Sequence, residues 1–184
     1  MADDGARKIT MRTAEGQVFE VDEAVAMEFQ TVKSFFEDDS VSYDSVIPLP
    51  NVSTRALSRV VFYCKRSLDF GAKSAAAIDE DDKKKAKEER EAFEVEFVRD
   101  EDDEEIKELV LAANYLNIKD MLDSLNQSVA NRIQNKSVEY VRRFFGIEND
   151  FTPEEEAQIR QENAWAFEGV DDDDWYENFN RFRI

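Results

Sequence analysis

The residue types that carry most protein catalysis and metal binding are scarce in this chain. It contains no histidine, so it cannot build a Ser-His-Asp or Cys-His catalytic unit or a histidine-ligated zinc site. Its one cysteine, Cys64, can form neither an internal disulfide bond nor a cysteine cluster around a metal. Cys64 stands in an apolar stripe with Leu57, Val60 and Val61, which favours a buried core residue over a reactive thiol.

Acidic residues are abundant, and two kinds of site could use them. An enzyme could use a pair of carboxylates, but no Asp/Glu pair stands in an apolar setting that would shift a pKa. The run Asp171–Asp174 could attract calcium, but it lacks the spaced ligands and the central glycine of an EF-hand loop. We therefore expect no catalytic residue, no cofactor and no metal site.

Charge and composition favour a protein-binding protein. The 184 residues include 24 Lys and Arg against 43 Asp and Glu, a formal net charge of −19, which disfavours binding to nucleic acid. Hydrophobic residues make up 42% of the chain, enough for a sizeable core in one domain or one and a half. No apolar run approaches the roughly 18 residues of a membrane span, and Met1–Lys8 has no apolar signal core. We expect a reduced protein of the nucleus and cytoplasm that does not bind membranes.

Local patterns predict a small sheet and a helix in the first part of the chain. Apolar and polar residues alternate on both sides of the turn Glu15-Gly16 over residues 9–21, which predicts a β-hairpin. Asp22 and Ser53 are predicted helix N-caps. The proline-rich segment 46–52 is predicted to be a short edge strand that runs into a turn.

A charged stretch interrupts this pattern. Residues 78–91 are almost wholly charged and have no apolar stripe, which predicts a solvated loop or a frayed helix. We take the loop as the expectation. Phe93, Val95 and Phe97 alternate with other residues and predict a short strand or extended segment.

Helices are predicted for the rest of the chain. Residues 106–116 have a wide apolar face, and the pattern resumes after a break near Asn117. A further short helix is predicted to end at Gly146. The segment Thr152–Glu155 combines an N-cap, a proline and a capping-box glutamate, so it predicts the start of the last helix.

The last helix is unusual because it has few apolar residues. Only Ala157 and Ile159 are apolar between Glu154 and Asn163, although Trp165 follows. Such a helix gains little from packing on its own domain, so we interpret it as weakly anchored and ordered by a partner. The alternative is a frayed acidic helix that binds nothing.

Four sequence blocks in a fixed order carry a family resemblance. They are Val46–Val52, Leu109–Lys119, Asn149–Glu156 and Arg160–Glu168. Over about residues 7–168 the chain resembles the S-phase kinase-associated protein 1 family in its plant-type form. The Trp-Ala-Phe-Glu ending of the last block is what resembles the plant members.

The resemblance implies an α+β protein and a non-catalytic function. Members of that family are adaptors in SCF ubiquitin ligases. Their BTB/POZ domain holds the cullin scaffold, which carries the RING subunit, and their C-terminal helices hold the F-box of a substrate receptor. The implied domains are the N-terminal half of a BTB/POZ domain, the charged loop, the C-terminal half, F-box-binding helices and a tail, at residues 1–77, 78–91, 92–130, 131–168 and 169–184.

The resemblance also implies site residues. The Ala-Asn-Tyr-Leu segment lies on the cullin-facing side in the family, which points to Asn114 and Tyr115. Ordinary helix capping and core packing is the alternative for both. The F-box surface is implied at seven residues of the last helices: Ile133, Phe145, Ile147, Phe151, Ile159, Asn163 and Trp165. For Phe145 and Ile147 a place in the core is the alternative.

The chain also departs from the family. Residues 133–142 lack the usual glycine and proline, which predicts a divergent member with an altered F-box preference. The tail 169–184 places four acidic residues before a group of aromatic residues. It is either disordered or a short motif that docks on a partner or folds back on the F-box site. An F-box-binding paralogue that acts without a cullin is the alternative to the complete adaptor.

Overall fold

The computed structural model describes residues 7–37 and 42–170. The chain forms two compact units, Met1–Ser128 and Val129–Ile184, called here the first and the second unit. In the described ranges, no helix combines the length and the apolarity that a membrane crossing requires. The tail from residue 171 onward lies outside the described residues.

A three-stranded sheet begins the first unit. Strands β1 (Lys8–Arg12) and β2 (Val18–Asp22) form the predicted antiparallel hairpin, and β3 (Val46–Pro48) lies parallel to β1 on its other edge. The alternation predicted from the sequence is confirmed, because Ile9 and Met11 are fully buried on one face. Gly16 makes the hairpin turn with a φ of 82°, a conformation that glycine adopts without steric cost.

Three helices lie between and after these strands in the sequence. Helix α1 (Glu23–Ala26) is a single turn, α2 is Gln30–Glu37, and α3 is Thr54–Ala76. The predicted cap of α3 is confirmed, because the Ser53 side chain accepts a hydrogen bond from the backbone N–H of Ala56. Asp22 occupies the N-cap position of α1 but makes no capping hydrogen bond, and its carboxylate instead pairs with Lys65 at 3.2 Å.

Helix α4 (Glu80–Arg99) corrects two expectations about the charged region. Residues 80–91, predicted as a solvated loop or a frayed helix, and residues 93–97, predicted as a short strand or extended segment, are parts of one continuous helix. The Asp79 side chain caps it by accepting the backbone N–H of Asp82 at 2.8 Å. Most side chains of residues 80–91 are exposed, so the region is solvated although it is helical.

Two features explain why α4 is a helix. Phe93 and Phe97 are one helical turn apart, and their ring centroids lie 5.8 Å and 5.3 Å from the ring of Tyr63 on α3. The exposed face carries ion pairs four residues apart, between Lys84 and Glu88 and between Lys87 and Glu91. The apparent alternation at 93–97 therefore reflects a helical stripe, and Val95 between the two phenylalanines is exposed.

The remaining helices follow the predicted order. Helix α5 (Asp103–Leu116) begins with a capping box of Asp102 and Glu105, and α6 is Lys119–Ile133. Asn117 separates them in the left-handed conformation, with a φ of 54°. The second unit contains α7 (Val138–Phe145), α8 (Pro153–Glu162) and a short 3-10 helix, Ala164–Phe167. The structure is α+β, as predicted.

Candidate partner-binding surface

The second unit leaves six of its large apolar side chains exposed. Phe144 is its only buried hydrophobic side chain among the described residues. Five of the seven residues implied for F-box binding are exposed, with Trp165 at 74% and Ile147 at 57%. These five are Phe145, Ile147, Phe151, Ile159 and Trp165, and they are called here the exposed apolar set.

The end of α7 positions the first two members of this set. The backbone N–H of Gly146 donates to the carbonyl of Arg143, and the N–H of Ile147 donates to the carbonyl of Arg142. This is a Schellman motif, which needs a left-handed residue, and Gly146 has a φ of 65°. The helix therefore stops after Phe145, with Phe145 and Ile147 both exposed. The core alternative for these two residues is wrong in the free chain.

The start of α8 positions Phe151. Thr152 and Glu155 form the predicted capping box, with Pro153 at the first helical position. The side-chain oxygen of Asn149 accepts the backbone N–H of Phe151 at 3.2 Å, which fixes the residue that precedes the cap. Phe151 is 46% exposed, and the guanidinium of Arg142 lies 5.8 Å from its ring centroid.

Polar contacts hold α8 against α7. The Arg142 guanidinium donates to Glu156 at 3.0 Å and holds the pKa of that carboxyl below its ordinary value. Arg160 pairs with Glu139 on α7 and with Glu156 one turn back on α8. No side chain of α8 or of the 3-10 helix is buried. This low apolar anchoring is what the sequence pattern indicated.

The end of α8 presents Trp165. The side-chain amide of Asn163 donates to the carbonyl of Ile159 at 2.9 Å, and the backbone N–H of Asn163 donates to the same carbonyl at 3.0 Å. Asn163 is half-buried and terminates the helix. The guanidinium of Arg160 lies 5.2 Å from the ring of Phe167, while Trp165 in the same 3-10 helix stays exposed.

Sequence reasoning missed part of this arrangement. Val138, at the start of α7, is 38% exposed and belongs with the other exposed apolar residues of the unit. The pairing of Arg142 with Glu156 joins residues fourteen positions apart, so no local pattern signals it. The pair Glu156–Arg160 is four residues apart and could have been found from helical spacing. Ile133, the last residue of α6, is only half-buried.

The residues implied for cullin binding lie in the last turn of α5 in the first unit. Asn114 is exposed and Tyr115 is half-buried. The backbone carbonyl of Tyr115 accepts a hydrogen bond of 2.6 Å from the hydroxyl of Thr31 on α2. Asn117 ends α5 because its N–H donates to the carbonyls of Ala113 and Asn114. The structure thus anchors this end of α5, and the role of Asn114 and Tyr115 in binding stays a prediction.

The only cysteine has the environment of a core residue. Cys64 is 1% exposed on α3, and burial raises the pKa of its thiol to about 12. Its prediction as a buried residue is confirmed. It adjoins a cavity of about 450 Å³ that is also lined by Tyr63 and Asp120. Among the described residues, no group of acidic or cysteine side chains is arranged to hold a metal ion.

Known proteins resemble both units of this chain. Residues 7–69 match the tetramerisation domain of the Skp1 family, and residues 119–166 match its dimerisation domain. The chain is 48% identical over 168 residues to SKP1-like protein 20 of Oryza sativa subsp. japonica, covering 87% of this chain and 94% of that protein. It is 45% identical over 168 residues to SKP1-like protein 1A of Arabidopsis thaliana, covering 89% and 99%.

These similarities confirm the resemblance inferred from the four sequence blocks. They also confirm the α+β fold class, with a POZ domain followed by C-terminal helices. Skp1 family proteins are adaptors rather than enzymes. With both family domains matched and relatives this similar over almost their full length, the chain belongs to the Skp1 family.

Proposed function

We propose that this SKP1-like protein bridges a cullin scaffold to F-box substrate receptors in an SCF ubiquitin ligase. F-box proteins and cullins are the partners of the family in general. The observation that carries the proposal is the exposed apolar set of the second unit, a unit that has a single buried hydrophobic side chain among its described residues. We further propose that the protein acts in the nucleus and cytoplasm.

Binding would complete a core that the second unit lacks. Apolar helices of an F-box would cover the exposed apolar set, and burial stabilises by about 25 cal/mol per Å² of apolar surface. Ordering a segment costs roughly 1–2 kcal/mol per residue in backbone entropy. The caps and ion pairs of α8 reduce that cost, because they favour its helical form before the partner arrives. Trp165 is the strongest single anchor, since tryptophan is enriched among interface residues that dominate affinity.

The F-box half of the proposal is tested by calorimetry on the full chain with an F-box segment. Ile147→Asp should abolish binding, because it places a charge among apolar contacts. Val95→Asp is the matched control, since it places the same charge at an exposed aliphatic residue that lies on α4 in the first unit. Equal affinities for wild type and Ile147→Asp would refute this surface.

The cullin half needs its own measurement. Pull-down with the N-terminal region of a cullin should capture the wild type, and the double variant Asn114→Ala/Tyr115→Ala should not be captured. Glu104→Gln is the control, because Glu104 is exposed in the first turn of the same helix. F-box binding without any cullin capture would instead support a paralogue that acts without a cullin.

A further inference from the structure

The exposed apolar set is followed closely in sequence by a second group of apolar residues. The described chain ends at Val170, five residues after the exposed Trp165. The tail that follows has four aspartates, Asp171–Asp174, and then five large apolar residues: Trp175, Tyr176, Phe179, Phe182 and Ile184. These residues lie outside the described ranges.

We propose that this tail binds the exposed apolar set of its own second unit and competes there with the F-box. The contact itself is independent of the proposed function, whereas the competition rests on it. The tail would thus lower the apparent affinity for every F-box partner, so that only partners of high intrinsic affinity bind.

The tail is long enough to reach the set. Five extended residues, 171–175, span up to about 17 Å. Helix α8 has ten residues and is therefore about 15 Å long. Val170 is separated from the end of α8 by the 3-10 helix, and the whole tail, residues 171–184, spans up to about 50 Å when extended, so it is long enough to run along both helices.

Two sites on the second unit carry charges that complement the two ends of the tail, although residues 129–170 contain eight Asp and Glu against five Lys and Arg. Arg143 is exposed in the last turn of α7, next to Phe145, and complements the aspartate run. The exposed first turn of α8 is acidic, with Glu154 and Glu155, and complements Arg181 and Arg183 of the tail. Along the sequence, Trp175, Tyr176 and Phe179 stand between the two charged stretches of the tail, just as Phe145, Ile147 and Phe151 stand between Arg143 and the acidic first turn of α8.

A weak contact is sufficient because the tail is attached to its target. A short flexible linker gives an effective concentration in the millimolar range. A contact with an intrinsic Kd of about 0.1 mM would then be formed about nine-tenths of the time. Masking nine-tenths of the binding-competent chains weakens the apparent affinity for a partner about tenfold.

The test compares two full-length variants of the tail. Trp175→Ala/Phe179→Ala removes two aromatic side chains, and Asn178→Ala/Asn180→Ala is the matched control that changes neighbouring polar residues. Hydrogen exchange over residues 138–167 without any partner should be faster in the aromatic variant and unchanged in the control. Calorimetry should show that the aromatic variant binds an F-box segment about five- to tenfold more tightly than the wild type.

Other results would overturn the proposal. Unchanged hydrogen exchange means that the tail does not cover this surface, and weaker F-box binding means that the tail contacts the partner instead. If the aromatic variant shows faster hydrogen exchange but an unchanged affinity for the F-box segment, the tail contacts the surface without competing with the F-box. Exchange differences that grow with protein concentration assign the contact to a second copy of the chain. If the wild type binds no F-box segment at all, the proposed function fails, but the exchange comparison still decides whether the tail contact exists.

Discussion

The two units of this chain are stabilised by different means. The first unit contains every buried hydrophobic side chain of the described residues except Phe144. The second unit is held by helix caps and by ion pairs of Arg142 and Arg160, and six of its large apolar residues are exposed. The first unit is therefore stabilised mainly by its own apolar contacts, whereas the second leaves apolar surface uncovered, which a partner would cover under the proposed function.

The sharpest way to break this comparison is to delete apolar volume in each unit. Leu57→Ala should lower the free energy of unfolding by about 2–5 kcal/mol, because Leu57 is fully buried in the first unit. Ile159→Ala should change it by no more than about 0.5 kcal/mol, because Ile159 is 37% exposed on a helix without buried residues. Urea denaturation followed by circular dichroism measures both. Equal losses would mean that the second unit has a core of its own.

The second prediction separates stability from binding at one residue. Trp165→Ala should leave the free energy of unfolding of the free chain almost unchanged, since the side chain is 74% exposed. It should weaken F-box binding by about 2 kcal/mol, roughly thirtyfold, as expected for a tryptophan anchor. Trp165→Phe is the control and should lose less affinity. A large loss of stability with little loss of F-box affinity would mean that Trp165 stabilises the free chain and does not anchor the partner.

The third prediction concerns the cap of α8. Thr152→Ala removes the hydroxyl that accepts the backbone N–H of Glu155 and should cost this helix about 1 kcal/mol. Hydrogen exchange within α8 should then be about fivefold faster. Thr152→Ser keeps a capping hydroxyl and should behave like the wild type. If Thr152→Ala leaves the exchange rate unchanged, the cap does not support α8.

The smallest expected effect is a pH dependence of the α8 anchor. The pKa of Glu156 is below its ordinary value because Arg142 donates to its carboxylate. The pairing of Glu156 with Arg142 therefore contributes fully to stability above the ordinary glutamate pKa. This contribution is lost as the pH falls through the lowered pKa of Glu156. NMR titration should find the lowered pKa in the wild type and a value nearer the ordinary one in Arg142→Gln. An equal Glu156 pKa in both proteins would exclude this pairing.

Sequence reasoning predicted the elements whose signals are local. The hairpin turn at Gly16, the Ser53 cap, the Schellman glycine Gly146 and the Thr152 capping box are each specified within a few residues, and each is found in the structure. The prediction of a strand or extended segment at residues 93–97 was wrong, because the apolar residues there belong to α4 and pack on α3, a contact that is not local. Its ion pairs at a spacing of four residues were the signal for a helix.

The candidate site was only partly predictable. The family resemblance pointed to the residues that form the exposed apolar set, and the poor apolar content of α8 was visible in the sequence. The pairing of Arg142 and Arg160 with acidic residues of another helix depends on how α7 and α8 meet. That geometry cannot be deduced from spacing along the chain.

Hydrogen exchange on the full chain, with and without an F-box segment, tests the central claim most directly. Amides of residues 154–165 should exchange much faster than those of α3 in the free chain. The same amides should become strongly protected once the F-box segment is added. Strong protection already present in the free chain, unchanged by the F-box segment, would contradict the claim that a partner completes the second unit.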